Sequence, residues 1–243
     1  MIPPAPWSGC RAIKHGCWGV TPRKRRVVLT NKVSASFEVQ RDVRRRWRSS
    51  APAPRGAKMP DNFILTGYAA TGCADATAAQ DGIDAGGPAA SGQMANTDWG
   101  RASAIKVRFD AAGAEANLPA ALIAAVASRE SRCGNVLRDG WGDGGNAFGI
   151  MQVDKRFHVP AGVTDPKSQA HIGQATGIPA SFLAQMQIKF ADQAAARQLQ
   201  AAVAAYDCGA GRAASPDTAD AHTTDGDYSN DVWARAAFYL TKW

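Results

Sequence analysis

Three acidic residues in the middle of the chain, Glu130, Asp143 and Asp154, stand in surroundings that could separate their chemistry. Glu130 follows Ile123 by seven residues and Val126 by four, so on a helix it projects from the same face as those aliphatic groups. A carboxyl held among aliphatic side chains is desolvated, which disfavours its charged form and raises its pKa. A general acid that must stay protonated near neutral pH needs that environment. The same spacing also fits a glutamate that ends the apolar stripe and turns into solvent beside Arg129 and Arg132. Asp143 lies in Trp141-Gly-Asp-Gly-Gly-Asn146, where glycines permit positive φ and close approach of another backbone. Asp154 ends the apolar run that starts at Phe148. An acid on a helix, opposed by carboxylates on a hairpin that activate water, is what inverting hydrolysis of a glycosidic bond requires, with the carboxyls ~6.5–9.5 Å apart. The alternatives are a turn residue at Asp143 and a strand-end cap at Asp154. A calcium loop starting at Asp139 fails, because Trp141 and Ile150 occupy places that call for acidic ligands.

The elements that must position these residues can be read from periodicity. Over 118–131, Leu118-Pro119 opens a helix, with Pro tolerated in its first turn, and Leu122, Ile123, Val126 and Ala127 form one stripe. The glycine-rich stretch 138–149 cannot be helical, and 148–153 predicts a short strand, so a small hairpin belongs there. Trp99, Ile105 and Phe109 give 97–116 a partly helical spacing, and helical patterns return at 178–190, 194–206 and 228–243. The predicted fold is α+β and predominantly α, a helical domain with a small antiparallel hairpin beside a cleft.

The chain of 243 residues suits one well-buried domain plus extras. Residues 1–58 hold 14 Lys/Arg against only Glu38 and Asp42, whereas the other 14 Lys/Arg face 19 Asp/Glu. The basicity therefore belongs to the N-terminal part, and no nucleic-acid partner is expected for the folded domain. Residues 1–60 mix Pro, Arg and Ser without a period and predict a basic, disordered extension. The competing reading is an arm for anionic surfaces or nucleic acid, built on the arginines of 23–26 and 41–48. Residues 61–93, small, polar and rich in Gly, Ala and Asp, read as an irregular lead-in to a catalytic domain over 94–243.

No run approaches the ~18 apolar residues of a membrane span. No signal peptide is visible either, since 1–60 offers only Val27-Val28-Leu29 as an apolar core. Five cysteines without a C-x-x-C pair and four histidines without ligand spacing predict no metal and no cofactor.

Beyond spacing, the central blocks carry a resemblance. Ser128-Arg-Glu-Ser131, Gly140-Trp-Gly-Asp-Gly-Gly-Asn146, Phe148-Gly-Ile-Met-Gln-Val-Asp-Lys-Arg156 with His158, Ala205-Tyr-Asp-Cys-Gly-Ala-Gly211 and Thr223-Thr-Asp-Gly-Asp-Tyr-Ser-Asn-Asp-Val232 resemble goose-type lysozyme over about residues 94–243. The resemblance implies the lysozyme-like fold shared with lytic transglycosylases. It implies Glu130 as catalytic acid and Asp143 and Asp154 as holders of the attacking water. It further implies cleavage of the β-1,4 bond between N-acetylmuramic acid and N-acetylglucosamine in peptidoglycan, with Gln152, His158 and Tyr206 at sugar-contacting positions. A monomer working outside the cell is expected on the same ground.

One departure falls in the site. The family's Tyr-Asn-Ala-Gly reads Tyr206-Asp207-Cys208-Gly209, and an ionised Asp207 only accepts hydrogen bonds where an amide also donates. Cys133 and Cys208 replace residues that are usually small in the family, which allows either a disulfide or two free, buried thiols. Competing functions are a lytic transglycosylase using Glu130 alone and a lysozyme-like module that binds glycan without cutting it.

Overall fold

The computed structural model describes residues 63–243, so the basic extension and its candidate arm lie outside the described residues. Eight α-helices and three short strands follow in order: α1 (Phe63–Thr66), α2 (Asp75–Ala79), α3 (Pro88–Ser103), α4 (Lys106–Ala116), α5 (Ala120–Ser131), β1 (Trp141–Gly142), β2 (Ala147–Phe148), β3 (Val153–Asp154), α6 (Gln169–Lys189), α7 (Ala195–Cys208) and α8 (Tyr228–Leu240). The predominantly α, α+β class expected from the sequence is what forms.

Helix α5 is the centre. All of its residues are buried, and it packs most extensively along α8, with α4 and α3 on other sides. Its alanine-rich sequence favours helix and lets neighbours approach closely. Pro119 caps its start with an extended backbone, and the Pro119 carbonyl accepts from the Leu122 and Ile123 N–H groups. At the other end Arg132 and Cys133 both take left-handed conformations, with φ of 57° and 52°, and return hydrogen bonds to Ser128 and Ala127. The apolar core runs from Leu122, Ile123 and Val126 to Leu199, Val203 and Trp233.

Beside this core lies a second, charged one. Arg129 of α5 pairs with Asp227 and Asp231 at 2.9 and 3.0 Å, and Arg235 of α8 pairs with the same Asp231 at 2.9 Å. Ser128 donates to Asp98 of α3 at 2.6 Å and accepts from Arg235 at 2.9 Å. Arg101 and Arg132 also pair with Asp98, and Arg132 with Asp81. Burial alone would raise the Asp231 carboxyl, but Arg235 and Arg129 outweigh it and hold the group below the usual range.

Residues 63–93 hold α1, α2 and the start of α3, joined by stretches without regular structure. Leu65 is buried and its carbonyl accepts from Trp233 Nε1 at 2.9 Å. Asn230 of α8 accepts from the Tyr68 hydroxyl and the Thr71 N–H, and Asp227 from the Ala74 N–H. The segment contributes few apolar side chains, and much of its order comes from polar bonds to α8, which leave no periodicity to read. Gly86 is required here: a Cβ on it would stand 2.3 Å from the Cys73 carbonyl oxygen.

The strand expected over 148–153 also differs. The chain makes a three-stranded antiparallel sheet, pairing Trp141 with Phe148, then Phe148 with Val153 and Ala147 with Asp154. A tight turn over 149–152 separates β2 from β3, with Gly149 and Gln152 at φ of 76° and 53°. Cys73, Cys133 and Cys208 are free and buried, so the second of the two cysteine alternatives holds. Burial pushes the Cys133 thiol up to about 12 and the Cys208 thiol to about 11. No single described helix is long and apolar enough to cross a membrane.

Asp231→Asn is expected to lower unfolding free energy by about 3–5 kcal/mol, because two buried guanidinium groups lose their shared anion. Asp110→Asn, which breaks the half-exposed Lys106–Asp110 pair, is expected to cost under about 1 kcal/mol. Urea unfolding of both variants checks the contrast; equal losses would remove the charged core from its structural role.

Candidate active site

Glu130 is the next-to-last residue of α5, and its side chain is 6% exposed. The helix therefore does not turn it freely into solvent. The hydroxyl of Tyr228, the first residue of α8, is hydrogen-bonded to Glu130 Oε1. Tyr228 stands between the two aspartate partners of Arg129 in sequence, and the Arg129 guanidinium lies 5.7 Å from its ring centroid. Arg129, Tyr228 and Glu130 thus form one packed unit across two helices. Sequence reasoning gave Tyr228 no role. The only signal was the motif Asp227-Tyr-Ser-Asn-Asp231, whose alternation of charge and ring foreshadows a buried pair with a phenol between.

The hairpin brings Asp143 and Asp154 together on one cation. Asp143 takes a left-handed backbone, φ 45°, in a 3-10 turn ending at Gly145, and Asn146 Nδ2 donates to its carbonyl at 2.9 Å. Asp154 is buried at the end of β3. Arg156 donates from Nε to both Asp154 oxygens, at 2.9 and 3.0 Å, and from Nη2 to Asp154 Oδ2 at 2.5 Å. The same Nη2 reaches Asp143 Oδ2 at 3.2 Å. The Arg156 backbone N–H adds a bond to Asp154 Oδ1 at 2.8 Å. Burial would raise the Asp154 carboxyl, but the Arg156 bonds and charge, with a smaller effect of His158, hold it below the usual carboxylate range.

The turn between β2 and β3 is fastened by three helices. Ser131, next to Glu130, donates its hydroxyl to the Ile150 carbonyl at 2.7 Å. Tyr206 of α7 donates to the Met151 carbonyl at 2.6 Å, and the Met151 N–H donates to His171 Nε2 of α6 at 3.2 Å. Because Nε2 accepts, the His171 ring is neutral, and its burial pushes its pKa down to about 4. Gly149 makes room for that ring: a Cβ there would fall 2.3 Å from it, and its φ is positive. His171 was not among the sequence candidates, since a lone histidine in a helix offers no spacing to notice.

The remaining candidates divide. Gln152 donates from Nε2 to the Gly149 carbonyl at 2.8 Å, and its amide oxygen lies against Gly142, so it braces the hairpin from inside. Tyr206 is buried with its hydroxyl on Met151. His158 sits in the exposed segment after β3, its N–H bonded to the Asp154 carbonyl at 2.9 Å. Lys155 in the same segment lies 5.5 Å from the Trp141 ring centroid. Asp207 has both oxygens bonded to Thr224, one to its N–H at 2.8 Å and one to its hydroxyl at 3.0 Å. Burial raises the Asp207 carboxyl, against those bonds. It therefore ties α7 to the loop leading into α8. Among the described residues, no group of three His, Cys, Asp or Glu is arranged to hold a metal ion.

Comparison with known proteins gives one consistent family. Residues 65–242 match the family model described as Lysozyme g. The chain is similar to the lysozyme g of Epinephelus coioides, 42% identical over 182 residues that span 71% of this chain and 93% of that protein. The lysozyme g of Takifugu rubripes is 42% identical over 175 residues, 70% of this chain and 91% of its own. That of Gallus gallus is 39% identical over 169 residues, covering 70% and 79%. The family match begins in α1, in line with the order found in the lead-in.

The His171 anchor generates a pH dependence. The folded pKa lies near 4 and the unfolded one near ~6.5, so the unfolded chain binds the extra proton first as pH falls. This contribution to stability is complete above about pH 6.5 and is lost as pH falls toward 4. Relative to His171→Gln, the wild type is expected to lose more stability between about pH 7 and pH 5, measured by urea unfolding. Parallel pH profiles for the two proteins would show that the imidazole does not titrate as described.

Proposed function

The chain belongs to the lysozyme g family and is a glycoside hydrolase, and from that premise we propose that it cuts peptidoglycan glycan strands by single displacement with inversion. The bond is the β-1,4 link from N-acetylmuramic acid to N-acetylglucosamine. Glu130 donates its proton to the glycosidic oxygen as the bond to the anomeric carbon breaks. A water attacks that carbon from the opposite face and gives up a proton to Asp143 or Asp154. The product is a reducing end of inverted configuration, and Glu130 regains its proton from solvent. The enzyme works as a monomer outside the cell.

The observation that supports this reading is the unequal housing of the carboxyls. Glu130 is enclosed at the end of α5 with its carboxyl bonded to a phenol, whereas Asp154 and Asp143 share a guanidinium. Burial disfavours a charged carboxyl and a paired guanidinium favours one, a division that suits an acid at Glu130 and a base at Asp154. The three ties from α5, α6 and α7 to the 149–152 turn keep the two sides in register.

Glu130→Gln keeps the shape and cannot supply the proton, so lysis of purified cell walls is expected to fall by ~10²-fold or more with the fold intact. Asp143→Asn and Asp154→Asn are each expected to lose less, and the double variant more than either. Mass analysis of the products should find reducing ends; 1,6-anhydro ends would instead mean that the sugar's own hydroxyl replaces water. A Glu130→Gln protein keeping over a tenth of wild-type activity would take the acid's role away from this residue.

A further inference from the structure

Two carboxylates bonded to one guanidinium nitrogen can be no farther apart than the two bonds laid end to end. Asp143 Oδ2 and Asp154 Oδ2 are in that position, at 3.2 and 2.5 Å from Arg156 Nη2. Like charges so close cannot both persist unaided: the proton affinity of one rises steeply, and the pair keeps a proton between them. A fixed cation removes that penalty. Arg156 has the geometry for it, because its planar fork meets Asp154 through two nitrogens and still reaches Asp143 with the second.

We propose that Arg156 is a positioning residue for the reaction: it holds Asp143 beside Asp154 and keeps Asp154 available as a base to the attacking water. The inference rests on the reading that these aspartates activate water. Asp154 is located twice, by the Arg156 side chain and by its backbone N–H at 2.8 Å, whereas Arg156 reaches the Asp143 carboxylate through the guanidinium alone. Loss of the guanidinium would therefore leave Asp154 in place, raise its proton affinity and release Asp143 from its side. The other titratable groups of the site are His158, which acts weakly on Asp154; Lys155, whose ammonium lies over the Trp141 ring; and Glu130 on α5, bonded to Tyr228. The Arg156 side chain is 42% exposed and bonds only within the hairpin segment, so its removal should not move global stability.

The test is the pH profile of kcat/KM on a soluble chitooligosaccharide for the wild type, Arg156→Met and Arg156→Lys, over the range where circular dichroism shows each folded. The acid limb reports the group that must be deprotonated in the free enzyme. Arg156→Met is expected to move that limb upward by about one pH unit or more, with urea midpoint unchanged. Activity well below the wild-type limb should fall about tenfold, since there one pH unit is a factor of ten in the ionised fraction. Arg156→Lys should recover part of the shift, because it restores charge without the fork. An unmoved limb in Arg156→Met overturns the inference, and so does a loss of activity that follows a loss of stability. Asp143→Asn and Asp154→Asn are run alongside: if neither alters the limb, the water-activating reading itself fails, whereas if they alter it and Arg156→Met does not, only the role of Arg156 falls.

Discussion

Buried charge must be paired, and in this protein the pairing of Arg129 sets the geometry of everything around it. Its guanidinium takes one oxygen from Asp227 and one from Asp231, a turn apart at the start of α8. Two bonds to two fixed anions leave α5 no freedom to rotate about its axis or to slide along α8. Glu130 is the next residue, and Tyr228 lies between the two anions, so the same lock delivers the phenol to the carboxyl. Arg235 and Asp98 extend the cluster to α3. Replacement by apolar side chains of like volume could match such a cluster in stability, yet it would not specify rotation so narrowly.

The hairpin depends on the helices in a different way. Its strands have two residues each, too few to hold a sheet alone. What stabilises it is backbone hydrogen bonding to side chains from outside, with Ser131, Tyr206 and His171 satisfying consecutive groups of one turn. The hairpin then projects Asp143, Asp154 and Arg156 from a base whose position is decided by the helical core. Ser131 matters most in this respect, because it couples the turn to the residue beside Glu130.

The sequence made α5 legible because one aliphatic stripe and an alanine-rich composition agree, and it placed Glu130 on that helix. It left the burial of Glu130 open, since the closure over its end comes from Tyr228, 98 residues on. Over 148–153, apolar residues at a glycine suggested one strand; the reversal at Gly149 and Gln152 is forced by packing against His171, which no local pattern announces. The short helices of the lead-in left no period to read, because the segment is held in part by polar bonds to Asn230 and Asp227. Asp207 looked like a change at the sugar-binding surface, and its bonds to Thr224, which also tie α7 to the loop before α8, could not be read from the sequence. Non-local polar contacts account for each of these gaps.

The spacing along the chain of the Arg129 pairs has a consequence for how the molecule is born. Its partners lie 98 and 102 residues downstream, at the start of α8. Chains are made from the amino end, and contacts between distant segments wait until both exist. On a ribosome, α5 and the hairpin are complete long before Asp227, Tyr228 and Asp231 emerge. The acid's surroundings are thus assembled only after α8 has been made, and a chain interrupted before α8 carries Glu130 without the helix that encloses it. Only a chain made through α8 can enclose its acid.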